Sequence, residues 1–386
     1  MVASIHGMPR GVAIAIDDLL DNVAKIQAGQ EVLLLAHIDG LHGSDNLVDE
    51  QAISWIQSAI HHRGANASVL WIDEPDKPLA WRVPPVLKGA MSGCDVIINH
   101  SFNLVTEDIR SLTNHFLELG IRYVRNFATT SALLNTAWAQ TPTELVAEIR
   151  HQASKAFEAG ASWELTDDNG THLQGKILAP TSPQFPTYAS YREEGIGYLP
   201  WPEWVNPPIL LEGAAGIFVF DSMLSWWSRY IGIPPYFKES IRLTIDDGRI
   251  VKIEGGEEAD ALKRFLERMK EKVGDYVYHF SRMHTGVHPQ ARVGPHQCPN
   301  SNYRRVIDHS HTSNIHVHIG SEYETYKETY PYWLHITGDI RTATWRVGDT
   351  LVHDRGRLMA LDHPKVLAVA EKYPDRPGLK PEPWRY

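Results

Sequence analysis

Up to Gly160 the chain alternates short apolar runs with stretches of helical period, and this alternation confines the segment to an α/β layer. Glu31–His37 (EVLLLAH), Ser68–Asp73, Asp95–Asn99 and Arg122–Phe127 read as buried strands. Between them, Val48–His62 carries Ile53, Ile56 and Ile60 on one helical stripe and stops at Gly64. Glu107–Leu119 and Thr143–Ala159 read as further helices, each followed by a glycine. Strands joined through helices predict a mainly parallel sheet covered by helices.

From Ser162 the texture changes. Trp163–Thr166 and His172–Ile177 flank Asp167-Asp168-Asn169-Gly170, a hairpin signal. A Pro-rich stretch runs from Pro180 to Pro208. Ile209–Phe220, Ser240–Ile245 and Arg249–Glu254 read as strands and Glu257–Lys272 as a helix. The expected organisation is an α/β Rossmann-like domain over 1–160 and a β-rich α+β metal-binding domain over 161–386.

Within the second half, Asn314-Ile315-His316-Val317-His318-Ile319-Gly320 predicts a strand with two separate faces. Side chains two apart point the same way, so Ile315, Val317 and Ile319 face a core while both imidazoles face the opposite side. Paired neutral imidazoles are a common start of a transition-metal site, and His284 lies about one supersecondary unit upstream. The candidate ligands are therefore His284, His316 and His318. Three histidines suit Zn(II), Fe(II), Mn(II) or Cu(II), and a half-solvated strand face is the plainer alternative. His309-Ser310-His311 has the same spacing, but its polar neighbours suggest a loop. His288 and His296, beside prolines, read as surface-loop histidines.

Among 386 residues there are 37 Lys and Arg against 47 Asp and Glu, a formal charge of −10 with no long basic run. Nucleic acid is thereby disfavoured as a partner. No apolar run approaches the ~20 residues that span a bilayer, so no membrane partner is expected. The start lacks a secretory pattern and there are only two cysteines, Cys94 and Cys298, which predicts a cytoplasmic protein without a disulfide framework. The 20 His and 12 Trp favour a metal or acid–base site beside an aromatic pocket.

His284-Thr285-Gly286 with Gln290-Ala291-Arg292, followed by His316-Val317-His318-Ile319, resembles the 2,5-dihydroxypyridine 5,6-dioxygenases, in the superfamily of thermophilic aminopeptidase-like metalloproteins. Leu211-Glu212-Gly213, Ile241–Gly248 and Gly255-Gly256-Glu257-Glu258 add to the likeness, which is best from about Tyr188 to Gly320. The resemblance implies a mononuclear non-haem Fe(II) extradiol-type dioxygenase that opens a hydroxylated aromatic or N-heterocyclic ring with dioxygen. Its ligand set of two histidines and an aspartate maps onto His284, His316 and position 318, where this chain has histidine. That departure leaves Zn or Mn as alternative ions. The resemblance also draws attention to Glu194 as a candidate base.

His100, just past a strand where open α/β sheets carry functional residues, is a candidate for contact with substrate. His37 and Asp39 share that argument. Trp226 and Trp227 suit either a pocket wall or the core, and Arg292 either a substrate carboxylate or a salt bridge. Two metals would need several carboxylates, and the His316–His318 segment supplies none, which disfavours a dizinc peptidase. A mononuclear zinc hydrolase and a catalytically idle binding protein remain as rival expectations. A homo-oligomer is expected, with Pro180–Pro208 and Tyr323–Trp333 as interface candidates.

Overall fold

A computed structural model describes residues 7–37, 48–72, 85–100, 120–178, 197–202, 205, 209–224, 227–228, 231–320, 334 and 336–379. Strands β1 (Glu31–His37), β2 (Asn66–Ile72), β3 (Val96–His100) and β4 (Arg122–Asn126) pair in parallel, as the alternation predicted. Strand period two divides β1 between two cores. Val32, Leu34 and Ala36 pack with helices Arg10–Asp17 and Glu50–His62, whereas Leu33 and Leu35 meet Leu87 and Met91 of helix Pro85–Ser92. Helix Glu50–His62 starts where the Asp49 carboxylate accepts from the Ala52 amide at 2.7 Å, and Gly64 ends the turn beyond it at φ +78°. The stretch read as helix Glu107–Leu119 lies outside the described residues.

Strands β5 (Ser162–Thr166) and β6 (His172–Lys176) form the predicted hairpin. The chain then returns to the parallel sheet, where β7 (Gly197–Trp201) pairs with β4 and completes the order β2-β1-β3-β4-β7. The expected single strand Ile209–Phe220 is divided into β8 (Ile209–Leu210) and β9 (Ala215–Ser222). Gly213, at φ +74°, turns the backbone between them.

Beyond these lie β10 (Tyr236–Asp246), β11 (Arg249–Glu254), β12 (Phe280–Thr285), β13 (Ile315–Ile319), β14 (Ile336–Ile340), β15 (Thr344–Val347), β16 (Thr350–Asp354) and β17 (Arg357–Leu358). With β5, β6, β8 and β9 they build a second sheet in which neighbouring strands run antiparallel, its main path β17-β16-β15-β5-β6-β9-β14-β13-β12-β8. Helix Glu257–Val273 carries Glu257, Glu258 and Asp260 in its first turn and Lys270 and Lys272 in its last, which complements the helix dipole. Among the described residues no helix is long and apolar enough to cross a membrane.

Candidate metal centre

Antiparallel pairing of β12 with β13 sets His284 opposite His316, and Arg282 opposite His318. Ile315, Val317 and Ile319 are fully buried on the other face, which leaves the two β13 imidazoles on the face of His284. All three histidines are buried, and their ligand nitrogens lie within 4.8 Å of one another. The His284 and His316 ring centroids are 3.7 Å apart, and Nε2 of His284 is 2.8 Å from Nε2 of His318. Two lone pairs at that distance repel unless they share a proton or a cation.

Strand β14 continues the row, with Asp339 opposite His316 and Thr337 opposite His318. Helix Ser301–His309 packs against this end of the sheet. Asn300 caps it by accepting from the Tyr303 amide at 2.9 Å, and the Tyr303 hydroxyl donates to the Phe127 carbonyl just past β4. From the helix, the Arg305 guanidinium pairs with the Asp339 carboxylate, both fully buried. Asn314 Nδ2 donates to Asp339 Oδ1 at 2.9 Å, and His309 Nδ1 lies 3.9 Å from the same oxygen. Burial alone would raise the Asp339 carboxyl, but Arg305 and His309 override it and hold it well below the usual carboxylate range.

Asp339, Arg305 and His309 were not among the candidates read from the sequence, and His309 corrects an expectation. It is not in a polar loop: it ends a helix, nearly buried, with its ring centroid 3.8 Å from that of His316. The Asn300 cap and the Tyr303, Val306, Ile307 spacing were the available signals. Asp339 also supplies the carboxylate that seemed missing near His316, although it is committed to Arg305.

His288 departs from its surface reading as well. It is fully buried beside His311, and burial pushes its imidazole down to about 3. His296 is exposed, as expected. His353, also unanticipated, sets Nε2 3.0 Å from Thr285 Oγ1 and 3.1 Å from the Thr312 carbonyl, behind His284 in the chain.

His100 is not part of the histidine cluster. It ends β3 in the parallel sheet, with Nδ1 3.0 Å from Asn126 Nδ2, and burial pushes it down to about 3. Trp227 is a core residue, edge-on to Phe265 at 6.3 Å. Arg292 is exposed and donates to Ser313 Oγ at 3.3 Å. Glu194, Asp39, Trp226 and the side chain of His37 lie outside the described residues.

A family model for 2,5-dihydroxypyridine 5,6-dioxygenase (NicX) matches residues 85–359, most of the chain and all of this site. The chain belongs to the 2,5-dihydroxypyridine 5,6-dioxygenase family. A structure of 2,5-dihydroxypyridine dioxygenase from Pseudomonas putida KT2440 has the same fold, with TM-score 0.64 and 16% identity over 93% of this chain and 99% of that one. Wild-type AmpT from Thermus thermophilus is similar at TM-score 0.49 and 13% identity, over 91% and 99% of the two chains. No curated protein matches by sequence.

For a member of a dioxygenase family, the donor set fits a bound ion. The 2.8 Å between His284 Nε2 and His318 Nε2 brings two nitrogens close enough to share one proton or one cation. Neutral imidazoles bind divalent first-row metals, and three of them leave positions open. The second group of possible donors, His309, His316 and Asp339, fits less well because the Arg305 cation already sits on the carboxylate.

Proposed function

We propose that the chain is a mononuclear non-haem Fe(II) dioxygenase that opens a hydroxylated aromatic or N-heterocyclic ring of the hydroxypyridine kind, with His284, His316 and His318 as the metal ligands. The observation that carries this reading is the convergence of three buried imidazoles in a chain of this family. A bound ferrous ion would supply the redox chemistry that brings a ring hydroxyl and dioxygen together.

The protein's own contribution is coordination and exclusion of water. Burial of His284, His316 and His318 keeps bulk water from the donors. Three neutral ligands add no negative charge, so an anionic, deprotonated substrate oxygen would be favoured over a neutral one. His100 is kept neutral by burial at the carboxyl end of β3 and is proposed to face the ring. Glu194 is proposed as the base that takes the ring hydroxyl proton. A catalytic domain within 161–386, apart from β7, which joins the parallel sheet, and a homo-oligomer complete the proposal.

Metal analysis of anaerobically purified protein, together with oxygen uptake on hydroxypyridines and dihydroxybenzenes, tests this reading. About one iron per chain with substrate-dependent uptake is expected. Tight zinc and no uptake after Fe(II) reconstitution would overturn it in favour of a mononuclear zinc hydrolase.

A further inference from the structure

The His316 ring is held between two other imidazoles on adjacent sides. His284 stands against it at 3.7 Å between centroids with a 58° tilt, and His309 at 3.8 Å with a 41° tilt. His309 is 6.1 Å from His284 by the same measure, less than the two shorter separations together, so the three rings form a bent group with His316 at the corner. A phenyl ring could fill the place of His309. An imidazole adds a polar edge, and its Nδ1 lies 3.9 Å from Asp339 Oδ1.

Asp339 is itself immobilised. Arg305 pairs with it from the helix that carries His309. Asn314 donates to its Oδ1 at 2.9 Å and to the His309 carbonyl at 3.2 Å, which ties the helix end to β14. A fully buried ion pair of this kind is often no more stable than an apolar replacement, so its contribution to folding is a poor account of its presence. Its position, directly across from His316 on the neighbouring strand, is where a supporting group for a metal ligand would stand.

We propose that His309, oriented by Asp339, is a positioning residue of the metal centre that holds the His316 imidazole in its ligating orientation. This rests on His316 being a metal ligand. The helix Ser301–His309 thereby becomes part of the centre, and the Arg305–Asp339 pair is the anchor that keeps His309 on the ring.

The test uses the full chain loaded with Co(II), with its dissociation constant measured by chelator competition and its visible spectrum recorded. His309→Phe retains a ring, leaves Arg305 and Asp339 paired, and loses the polar edge that faces the carboxylate at 3.9 Å. It is expected to remain folded, to bind Co(II) about 10- to 100-fold more weakly and to shift the Co(II) absorption band. Asp339→Asn should act in the same direction. The double variant should be no weaker than the weaker single, since both act through one path.

A wild-type constant and spectrum in His309→Phe would overturn the proposal, as would full additivity in the double variant. Should Asp339→Asn not fold, His309→Phe decides alone. His316→Ala separates the two levels: undiminished Co(II) binding there would overturn the ligand reading itself. Loss of binding there, beside wild-type behaviour of His309→Phe, would overturn only the clamp.

Discussion

Arg305 and Asp339 form an ion pair out of contact with solvent, joining helix Ser301–His309 to strand β14 one strand away from His316. Removal of one partner strands the other as a buried charge. Arg305→Met should therefore lower the free energy of unfolding by about 3–5 kcal/mol in urea titrations. Arg305→Met/Asp339→Leu should recover most of that loss, since it leaves no charge behind. A double variant as unstable as the single would contradict this account.

Gly286, two residues after His284, has no room for a side chain. A Cβ there would stand 2.3 Å from the His311 carbonyl oxygen and 2.4 Å from the Ser310 carbonyl, both backbone atoms. Gly286→Ala should cost about 1–3 kcal/mol, read as a lower thermal midpoint. An unchanged midpoint would mean that the turn carrying His311 yields freely.

Four histidines kept neutral by burial, His100, His288, His311 and His353, predict a loss of stability in mild acid. His100 and His288 are pushed down to about 3, and His353 to about 4. Histidine in an unfolded chain titrates near 6.5, so above that pH these groups are neutral in both states and their stabilisation is complete. As pH falls below about 6.5 the unfolded chain takes up protons that the native protein refuses, at up to about 1.4 kcal/mol per pH unit for each group. Urea midpoints should fall from pH 7 to pH 4. His100→Leu should flatten that slope, while its lost Asn126 contact adds an offset independent of pH. Equal slopes for the variant and the wild type would refute the assignment.

The ligand set predicts a graded series. His284→Ala, His316→Ala and His318→Ala should each abolish stoichiometric metal binding in a folded protein. His318→Asp, which restores the carboxylate that the family resemblance implies, should retain iron. Elemental analysis with circular dichroism checks both. Full metal content in His284→Ala and His318→Ala, with loss in His309→Ala, would move the centre to the His309, His316 and Asp339 group.

Local sequence was enough for whatever depends on neighbours along the chain. The parity of β13 follows from strand period two, so the division between Ile315, Val317 and Ile319 and the two imidazoles is legible in seven residues. The parallel strands, the hairpin at Asn169-Gly170 and the start of helix Glu50–His62 are legible for the same reason. Helix Ser301–His309 was hidden because its polar composition outweighed a short apolar stripe. The fifth parallel strand, β7, was hidden inside a Pro-rich stretch. Tertiary structure alone decided that His284 lies opposite His316, that Asp339 lies across from it, and that His309 and Arg305 descend on both from a helix. Register and helix docking are set by which apolar faces can be buried together across the whole chain, and no window of sequence contains that information.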